Sequence, residues 1–212
     1  MTARVISLNV VFADVPDEGG SMPFTSIDKR PVEDSRFVTA DGVAGDKRSD
    51  MKHHGSPDQA VYAYSSEDYG WWSVELDQKL TAGQFGENLT TAGIDLNNLV
   101  IGSVFTVGTA KLRATKPRIP CGTFGRWMQQ DQWVKRFTAE NRIGTYFEVL
   151  DAGEITAGDE FELESTPDHG VTILDYFKVH TGDRDPERVK KCSKCPDIAP
   201  ETREKFSKFL EQ

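Results

Sequence analysis

A single cysteine, Cys121, stands between Pro120 and Gly122, and the four residues before Pro120, 116–119, include two cations. Cationic neighbours favour the thiolate form of a cysteine, which attacks electrophiles and binds soft metals. From Lys111 to Arg142 the chain has eight Lys or Arg against two acids, although the whole protein has a net charge of −9. An isolated cysteine is otherwise a small buried hydrophobe. The local positive charge leads us to predict chemistry at Cys121, with a small anionic ligand beside it.

Two glycine-bounded turns contain polar groups that suit ligand binding. The turn Gly83–Leu89 holds Glu87 and Asn88, and its glycines allow backbone N–H groups to approach a ligand closely. In the other turn Arg142 precedes Gly144, and a guanidinium suits a phosphate because it presents a planar fork of donors. The alternatives are a tight structural loop for the first turn and a surface salt bridge for the second.

Two adjacent histidines, His53 and His54, are followed by Asp58 and suggest a metal cluster. Adjacent residues on an extended segment point to opposite faces, so we do not expect both histidines to hold one ion. We expect one of them to line a pocket beside Asp46 or Asp58.

The pair Cys192 and Cys195 forms a C-x-x-C motif. Such a motif can be redox-active, or it can supply half of a zinc site, which needs about four ligands. The nearby candidates for further ligands are His169 and His180. The third interpretation, two ordinary cysteines at the end of a helix, is the one that we favour.

Composition excludes several functional classes. The acidic balance, with a pI near 5.0, argues against nucleic acid or an anionic membrane surface as a partner, because both require a basic face. Three cysteines in 212 residues do not make a disulfide framework, and the beginning of the chain lacks the pattern of a secretory signal. No run approaches the ~18 apolar residues of a membrane span. We therefore expect a cytoplasmic protein.

The elements that position these residues are mainly strands. Apolar-rich segments bounded by turn residues predict strands over residues 4–11, 59–64, 99–107, 111–115, 144–150 and 160–163. Ser65 is a predicted N-cap for a helix that runs through Leu76, and residues 16–22 are a predicted loop. Because Phe124, Trp127 and Met128 have helical spacing, one or two short helices are expected directly after Cys121.

The pattern changes near Ser165, and the residues beyond it predict three short helices. This segment has nine Lys or Arg and nine Asp or Glu, so the whole net charge belongs to the preceding residues. We therefore divide the chain into a main domain, residues 1–164, and a C-terminal three-helix domain, residues 165–212.

In their order and spacing, the motifs resemble the MOSC domain, the molybdenum-cofactor-binding module of cofactor sulfurases and of stand-alone bacterial proteins, and most of all the YiiM-like group. The matching segments are Ile27–Val32, Gly42–Asp46, His54-Gly55 with Asp58 and Ala60, Tyr64 and Trp72, Gly86–Leu89, Pro117-Arg118 with Pro120-Cys121, Arg142–Tyr146 and Gly158-Asp159. The resemblance covers residues 4 to about 164, and the C-terminal helices resemble the three-helix appendage of that group.

This resemblance implies a mainly β fold with α-helices, built on a MOSC-type β-barrel core with peripheral helices. It also implies that Cys121 supplies a thiolate to molybdenum, which the dithiolene of a pterin cofactor otherwise holds. The pterin carries a phosphate, which needs cations. The prediction from the residues and the implication of the family thus meet at Cys121.

The function implied is a molybdenum-cofactor oxidoreductase that reduces N-hydroxylated compounds, such as hydroxylaminopurines, hydroxylamines or amidoximes. Cys121 is the expected metal ligand. For the cofactor phosphate and pterin we expect the cations Lys29, Arg30, Arg118 and Arg142. For the substrate or pterin side we expect Asp46, His54, Asp58, Glu87 and Asn88. The chain has no haem or flavin motif, so we expect a separate reductase to deliver electrons and to dock on the C-terminal helices. A homodimer is compatible with this interpretation.

Two other functions stay open at this point. The protein can be a sulfur carrier that holds a persulfide on Cys121, as its resemblance to the sulfurases suggests; those relatives have a pyridoxal-phosphate domain, which we do not find in this sequence. It can also be a thiol hydrolase in which His53 or His54 activates Cys121, an arrangement that requires a histidine within hydrogen-bond reach of the sulfur.

Overall fold

The computed structural model describes residues 2–50 and 55–211 and has a mixed α/β architecture. Its eleven described strands are β1 (Arg4–Pro16), β2 (Phe24–Val32), β3 (Arg36–Thr39), β4 (Gly42–Val43), β5 (Val61–Ser65), β6 (Leu89–Ala92), β7 (Val104–Val107), β8 (Ala110–Pro117), β9 (Thr145–Asp151), β10 (Gly153–Ile155) and β11 (Phe161–Ser165). Its six described α-helices are α1 (Ser66–Glu75), α2 (Gly122–Met128), α3 (Trp133–Glu140), α4 (Ile173–Thr181), α5 (Pro186–Lys194) and α6 (Pro200–Ser207).

Eight strands form one large sheet in the order β11-β7-β8-β9-β5-β6-β1-β2, and β10, β3 and β4 form a small second sheet. All pairings in the large sheet are antiparallel except that of β5 with β6. The strand ladder of the described residues is open. An isolated bridge between Arg4 and Glu160 brings the beginning of β1 close to the beginning of β11. The expected combination of strands and helices is confirmed, whereas a closed barrel is not.

Two apolar clusters hold these elements together. The first lies on one face of the large sheet, where alternate residues of each strand point inward, as Leu89, Leu112 and Phe147 do. The second is aromatic and lies between the sheet and the helices, with Tyr64, Trp72, Phe85, Phe124, Trp133 and Phe137 fully or almost fully buried. Offset and edge-to-face aromatic pairs add to the energy of burial. The second cluster therefore stabilises the packing of α2 and α3 against the sheet.

The three predicted C-terminal helices are present as α4, α5 and α6. They contribute Phe177 and Phe206 to the same aromatic cluster, and a bridge between Val100 and Thr172 joins their beginning to the segment before β7. The division into domains 1–164 and 165–212 stays a prediction.

Most predicted elements are confirmed, and the first turn of α1 is an example. The Ser65 hydroxyl accepts a hydrogen bond from the Asp68 backbone N–H at 3.0 Å, as expected of an N-cap. The strand β2, which contains the polar run Asp28–Arg30 followed by a proline, was not predicted from the sequence. Within the described residues no helix combines the length and the apolar character needed to cross a membrane.

Candidate functional site

Cys121 lies at an open cleft between β2, the end of β8 and the beginning of α2. It is the N-cap residue of α2, as predicted, and is partly exposed. The cleft holds about 900 Å³ of space that no protein atom fills, part of which is open to solvent. Of the residues predicted for the site, Lys29, Asn88, Arg118 and Cys121 line this cleft.

Arg118 is a buried cation in the wall of the cleft. Only 7% of it is exposed, and its guanidinium carbon lies 3.4 Å from the centre of the Phe124 ring. Within the described part of the chain its Nη1 has no hydrogen-bond partner, and no carboxylate pairs with it. A buried cation without an anion is costly, although a stacked aromatic ring offsets part of that cost. Arg118 therefore has an unused charge and an unused donor beside Cys121.

The other cations near Cys121 in sequence are mostly paired with acids. Lys116 contacts Asp58 at 2.8 Å, and Arg126 contacts Asp17 at 2.6 Å. Further pairs join Lys111 to Glu164, Arg113 to Glu148 and Arg136 to Glu75. The excess of eight cations over two acids is thus largely neutralised by residues that are distant in the sequence.

A hydrogen-bonded network fixes Lys29 and Asn88 in the cleft wall. Both donate to the same oxygen of Asp46, at 2.6 Å for Lys29 Nζ and 2.8 Å for Asn88 Nδ2. The other Asp46 oxygen accepts the Val11 backbone N–H at 2.9 Å. Asp46 does not line the cleft itself; it holds two residues that do. Because the hydrogen bonds fix both side chains, little conformational entropy remains to be lost when a ligand binds.

Arg30 is on the opposite face of β2 from Lys29, because successive residues of a strand alternate. Its side chain is 54% exposed, pairs with Asp28 at 3.0 Å and stacks on Phe12. It does not line the cleft. The fold thus places Lys29 and Arg30, both of which were predicted to bind the cofactor phosphate or pterin, on opposite faces of β2.

Glu87 is completely buried behind the cleft. Its carboxyl group accepts hydrogen bonds from Gly83 N at 2.6 Å, Thr90 Oγ1 at 2.7 Å and Tyr69 Oη at 2.8 Å. Burial raises the pKa of Glu87, and these hydrogen bonds oppose that rise. At Gly83, where φ is +85°, a Cβ would lie 2.3 Å from the Lys29 carbonyl oxygen. Glu87 therefore fixes a glycine turn that packs directly against β2.

Two other predicted residues lie elsewhere, and one is outside the described residues. Arg142 lines a second cleft, contacts Asp68 at 2.5 Å and stacks over Trp71. Asp58 is the partner of Lys116 and does not line the cleft that contains Cys121. His54 falls outside the described residues, as does its neighbour His53.

The cleft also contains residues that were not predicted for the site from the sequence, among them Lys47, Arg48, Tyr62 and Tyr146. Burial raises the pKa of both tyrosines, and the positive charge of Arg118 opposes that rise. Both hydroxyls therefore stay protonated at neutral pH. Tyr146 does belong to one of the segments that carry the family resemblance, Arg142–Tyr146, whereas nothing in the sequence connects Tyr62 to Cys121 before β5 and β9 are paired.

A second cluster of possible metal ligands joins His169, Cys195 and Asp197. The Val171 backbone N–H donates to His169 Nδ1 at 3.0 Å, so Nε2 bears the ring proton and donates to Asp197 at 3.1 Å. A metal on Nε2 would displace that proton and require one on Nδ1, where Val171 already donates. The hydrogen bonds of His169 therefore favour a cluster of hydrogen-bonded side chains over a metal site.

The two cysteines of the C-x-x-C motif are at the end of α5, as the favoured interpretation has it. Cys192 lies within the helix and Cys195 is its C-cap residue. Burial raises the pKa of the Cys192 thiol to about 12 and also raises that of Cys195. Both thiols therefore stay protonated at neutral pH in the metal-free chain, which disfavours nucleophilic thiolate chemistry at this motif.

Comparison with known proteins gives consistent matches. The MOSC domain profile matches residues 50–162. The uncharacterized protein YflK of Bacillus subtilis (strain 168) is 32% identical over 80% of this chain and 76% of its own length. A protein named Reductase from Gibberella moniliformis is 28% identical over 73% of this chain but only 28% of its own length. The crystal structure of YiiM from Geobacillus stearothermophilus superimposes with a TM-score of 0.79, at 27% identity, over 98% of this chain and 99% of that one.

Proposed function

Because the chain belongs to the MOSC domain family, we propose that the cleft beside Cys121 binds a molybdenum cofactor and that the protein is an oxidoreductase for N-hydroxylated compounds. Hydroxylaminopurines, hydroxylamines and amidoximes are the proposed substrates. The relative from Gibberella moniliformis is named a reductase, which supports this class of reaction.

One observation supports the cofactor above all, namely that the cleft contains both a thiol and a buried cation that no carboxylate of the described residues neutralises. Cys121 provides a soft sulfur ligand, which suits a transition metal. Arg118 provides a donor, Nη1, that no described group satisfies. An anionic group bound there would neutralise the charge and accept the hydrogen bond. The residues present therefore fit a cofactor that has both a soft metal and a phosphate.

The residues divide into those that contact the cofactor and those that hold others in place. We assign the metal to Cys121 and the phosphate and pterin to Arg118, Lys29 and Asn88, since all four line the cleft. Asp46 and Glu87 do not line the cleft and act by holding other residues in place. Asp46 fixes Lys29 and Asn88. Glu87 fixes the turn before Asn88. Of the residues predicted for the site, only those that line the cleft are therefore assigned to contact with the cofactor.

Reduction of an N–OH group to an amine requires two electrons and two protons and releases water. When bound, the cofactor would supply the redox chemistry. The chain supplies a cleft wall that contains Tyr62, Phe85 and Tyr146, a surface suited to a flat aromatic or conjugated substrate. The protonated hydroxyl of Tyr146 is a hydrogen-bond donor within that wall. We assign the docking of a separate electron-donating reductase to the three-helix unit, residues 165–212.

The test is reductase activity of the cofactor-loaded protein with a reduced dye and a panel of N-hydroxylated substrates. Cys121→Ser should lower the rate at least about 100-fold, because it removes the sulfur ligand of the metal. The matched control is Cys195→Ser, which changes a buried thiol at the end of α5 and should keep the activity of the folded fraction. Activity retained by Cys121→Ser would exclude the metal-ligand role.

A further inference from the structure

We propose that residues 17–23, here called the strap, close over the cleft and that the ion pair between Asp17 and Arg126 holds them shut. The strap joins β1 to β2. Its ends are tied together by the Asp17 backbone N–H, which donates to the Pro23 carbonyl at 3.0 Å. Ser21 and Met22 of the strap line the same cleft as Cys121. The strap is thus a short excursion of the β1–β2 hairpin that forms part of the wall around the thiol.

Asp17 is the main anchor of the strap. It is 6% exposed and accepts hydrogen bonds from Arg126 Nε at 2.6 Å, Arg126 Nη2 at 3.0 Å and Thr123 Oγ1 at 2.8 Å. Arg126 lowers the pKa of Asp17, and Thr123 adds to the effect. Hydrogen bonds between charged partners are the strong ones, and a bidentate arginine adds geometric specificity.

This anchor is attached to the helix that Cys121 begins. Arg126 and Thr123 both belong to α2, for which Cys121 is the N-cap residue. Arg126 lies against the first turn, since a Cβ on Gly122 would be 3.0 Å from Arg126 Nη1. When Asp17 is released, Thr123 and Arg126 of α2 therefore lose their hydrogen-bond partner close to the thiol.

A second and weaker anchor attaches the strap to another wall of the cleft. Ser21 Oγ donates to Asp50 Oδ2 at 3.0 Å, in an exposed position. Exposed contacts of this kind contribute little. Among the described residues the side-chain hydrogen bonds of the strap thus comprise a strong anchor at Asp17 and a weak one at Ser21, and we infer that the strap opens locally without unfolding of the sheet.

Gly20 shows how closely the strap fits its anchor. A Cβ on Gly20 would lie 2.1 Å from Asp17 Oδ2 and 3.0 Å from Arg126 Nη2. Gly20→Ala must therefore move the strap or the Asp17 carboxylate, and either movement breaks the anchor. This substitution leaves the charge near Cys121 unchanged, whereas Asp17→Asn removes a negative charge and a neutral replacement of Arg126 removes a positive one.

The experiment measures the rate at which N-ethylmaleimide forms a thioether with Cys121 in the full, cofactor-free chain. Peptide mass spectrometry identifies the modified thiol, and Cys192 and Cys195 are buried. Gly20→Ala and Asp17→Asn should each raise the rate about fivefold, because both increase the population of the open strap. The matched control is Gly70→Ala, since a Cβ on Gly70 would point into open space among the described residues; its rate should equal that of the wild type.

Three outcomes would overturn the proposal. One is a rate within twofold of the wild type for both Gly20→Ala and Asp17→Asn when near-UV circular dichroism shows native packing. Another is an equal acceleration by Gly70→Ala. The third is global unfolding of both strap variants, which would make the strap part of the core rather than a movable segment. The role of the strap rests on the proposed function of the cleft, but alkylation needs neither cofactor nor substrate, so the two ideas can fail separately.

Discussion

Two arginines that look alike in the sequence have opposite surroundings in the fold. Arg118 is buried at the cleft, where none of the described residues pairs a carboxylate with it or accepts a hydrogen bond from its Nη1. Arg142 lies at a second cleft, where it contacts the buried carboxylate of Asp68 and stacks over Trp71. The charge of Arg142 is already neutralised within the protein, whereas that of Arg118 is available to a ligand.

A count of cations along the sequence locates positive charge, but it does not show which of those charges are free to bind a ligand. Six of the eight cations between Lys111 and Arg142 contact acids in the fold. An unpaired buried cation is the exception, because it destabilises the protein until an anion binds. Such a residue is therefore better evidence of a ligand than a cluster of paired ones.

The largest expected effect comes from exchanging the two arginines for neutral residues one at a time. Arg118→Gln should lower cofactor retention at least about tenfold and leave the stability of the cofactor-free chain unchanged or higher. Arg142→Gln should do the reverse. It should keep the cofactor but lower the free energy of unfolding by about 1–3 kcal/mol, since Asp68 loses its partner. Molybdenum content and urea denaturation of both variants check this, and equal effects of the two substitutions on both quantities would show that the two arginines have the same role.

A smaller effect is expected at β2, where Lys29 and Arg30 are neighbours on opposite faces. Lys29→Gln should lower cofactor retention several-fold, because it removes a cation of the cleft and leaves Asp46 without its charged partner. Arg30→Gln should leave retention unchanged, because Arg30 is exposed and paired with Asp28. The measurement is pterin fluorescence per chain, and a loss with Arg30→Gln would mean that the outer face of β2 also binds the cofactor.

The smallest expected effect is a pH dependence at Glu87. Because burial raises the pKa of Glu87 in the folded state, the protonated carboxyl stabilises the fold fully below the pKa of the unfolded chain. That contribution is lost as the pH rises through the folded pKa. Thermal denaturation between pH 4 and pH 8 should therefore show the wild type losing stability relative to Glu87→Gln as the pH increases. A difference that does not change with pH would show that Glu87 titrates as an ordinary carboxyl.

The sequence predicts much of the fold and the centre of the site, but not the pairing of charges. The strands that alternate or contain mostly apolar residues were recognised, and so was Cys121 at the beginning of a helix, because proline and glycine mark local backbone geometry. The strand β2 was missed, since Lys29, Arg30 and Pro31 interrupt its apolar pattern. Sequence could not show that Arg142 meets Asp68, which is 74 residues away, because that contact depends on tertiary packing.

The residues that surround Cys121 could not be predicted from the sequence, for the same reason. Tyr62 and Asn88 reach the cleft because β5 pairs with both β6 and β9, one of them in parallel. Asp17 reaches α2 across 109 positions of the chain. Periodicity and turn residues report local structure, and none of these contacts is local.

Whether the cleft binds a molybdenum cofactor is decided by the molybdenum and pterin content of the wild-type protein, purified from a host in which a known molybdenum enzyme is fully loaded. Elemental analysis and the fluorescence of the oxidised pterin measure the two quantities. We predict close to one molybdenum and one pterin per chain. Neither metal nor pterin, from a host that loads its own enzyme, would contradict the account and direct attention to a persulfide on Cys121.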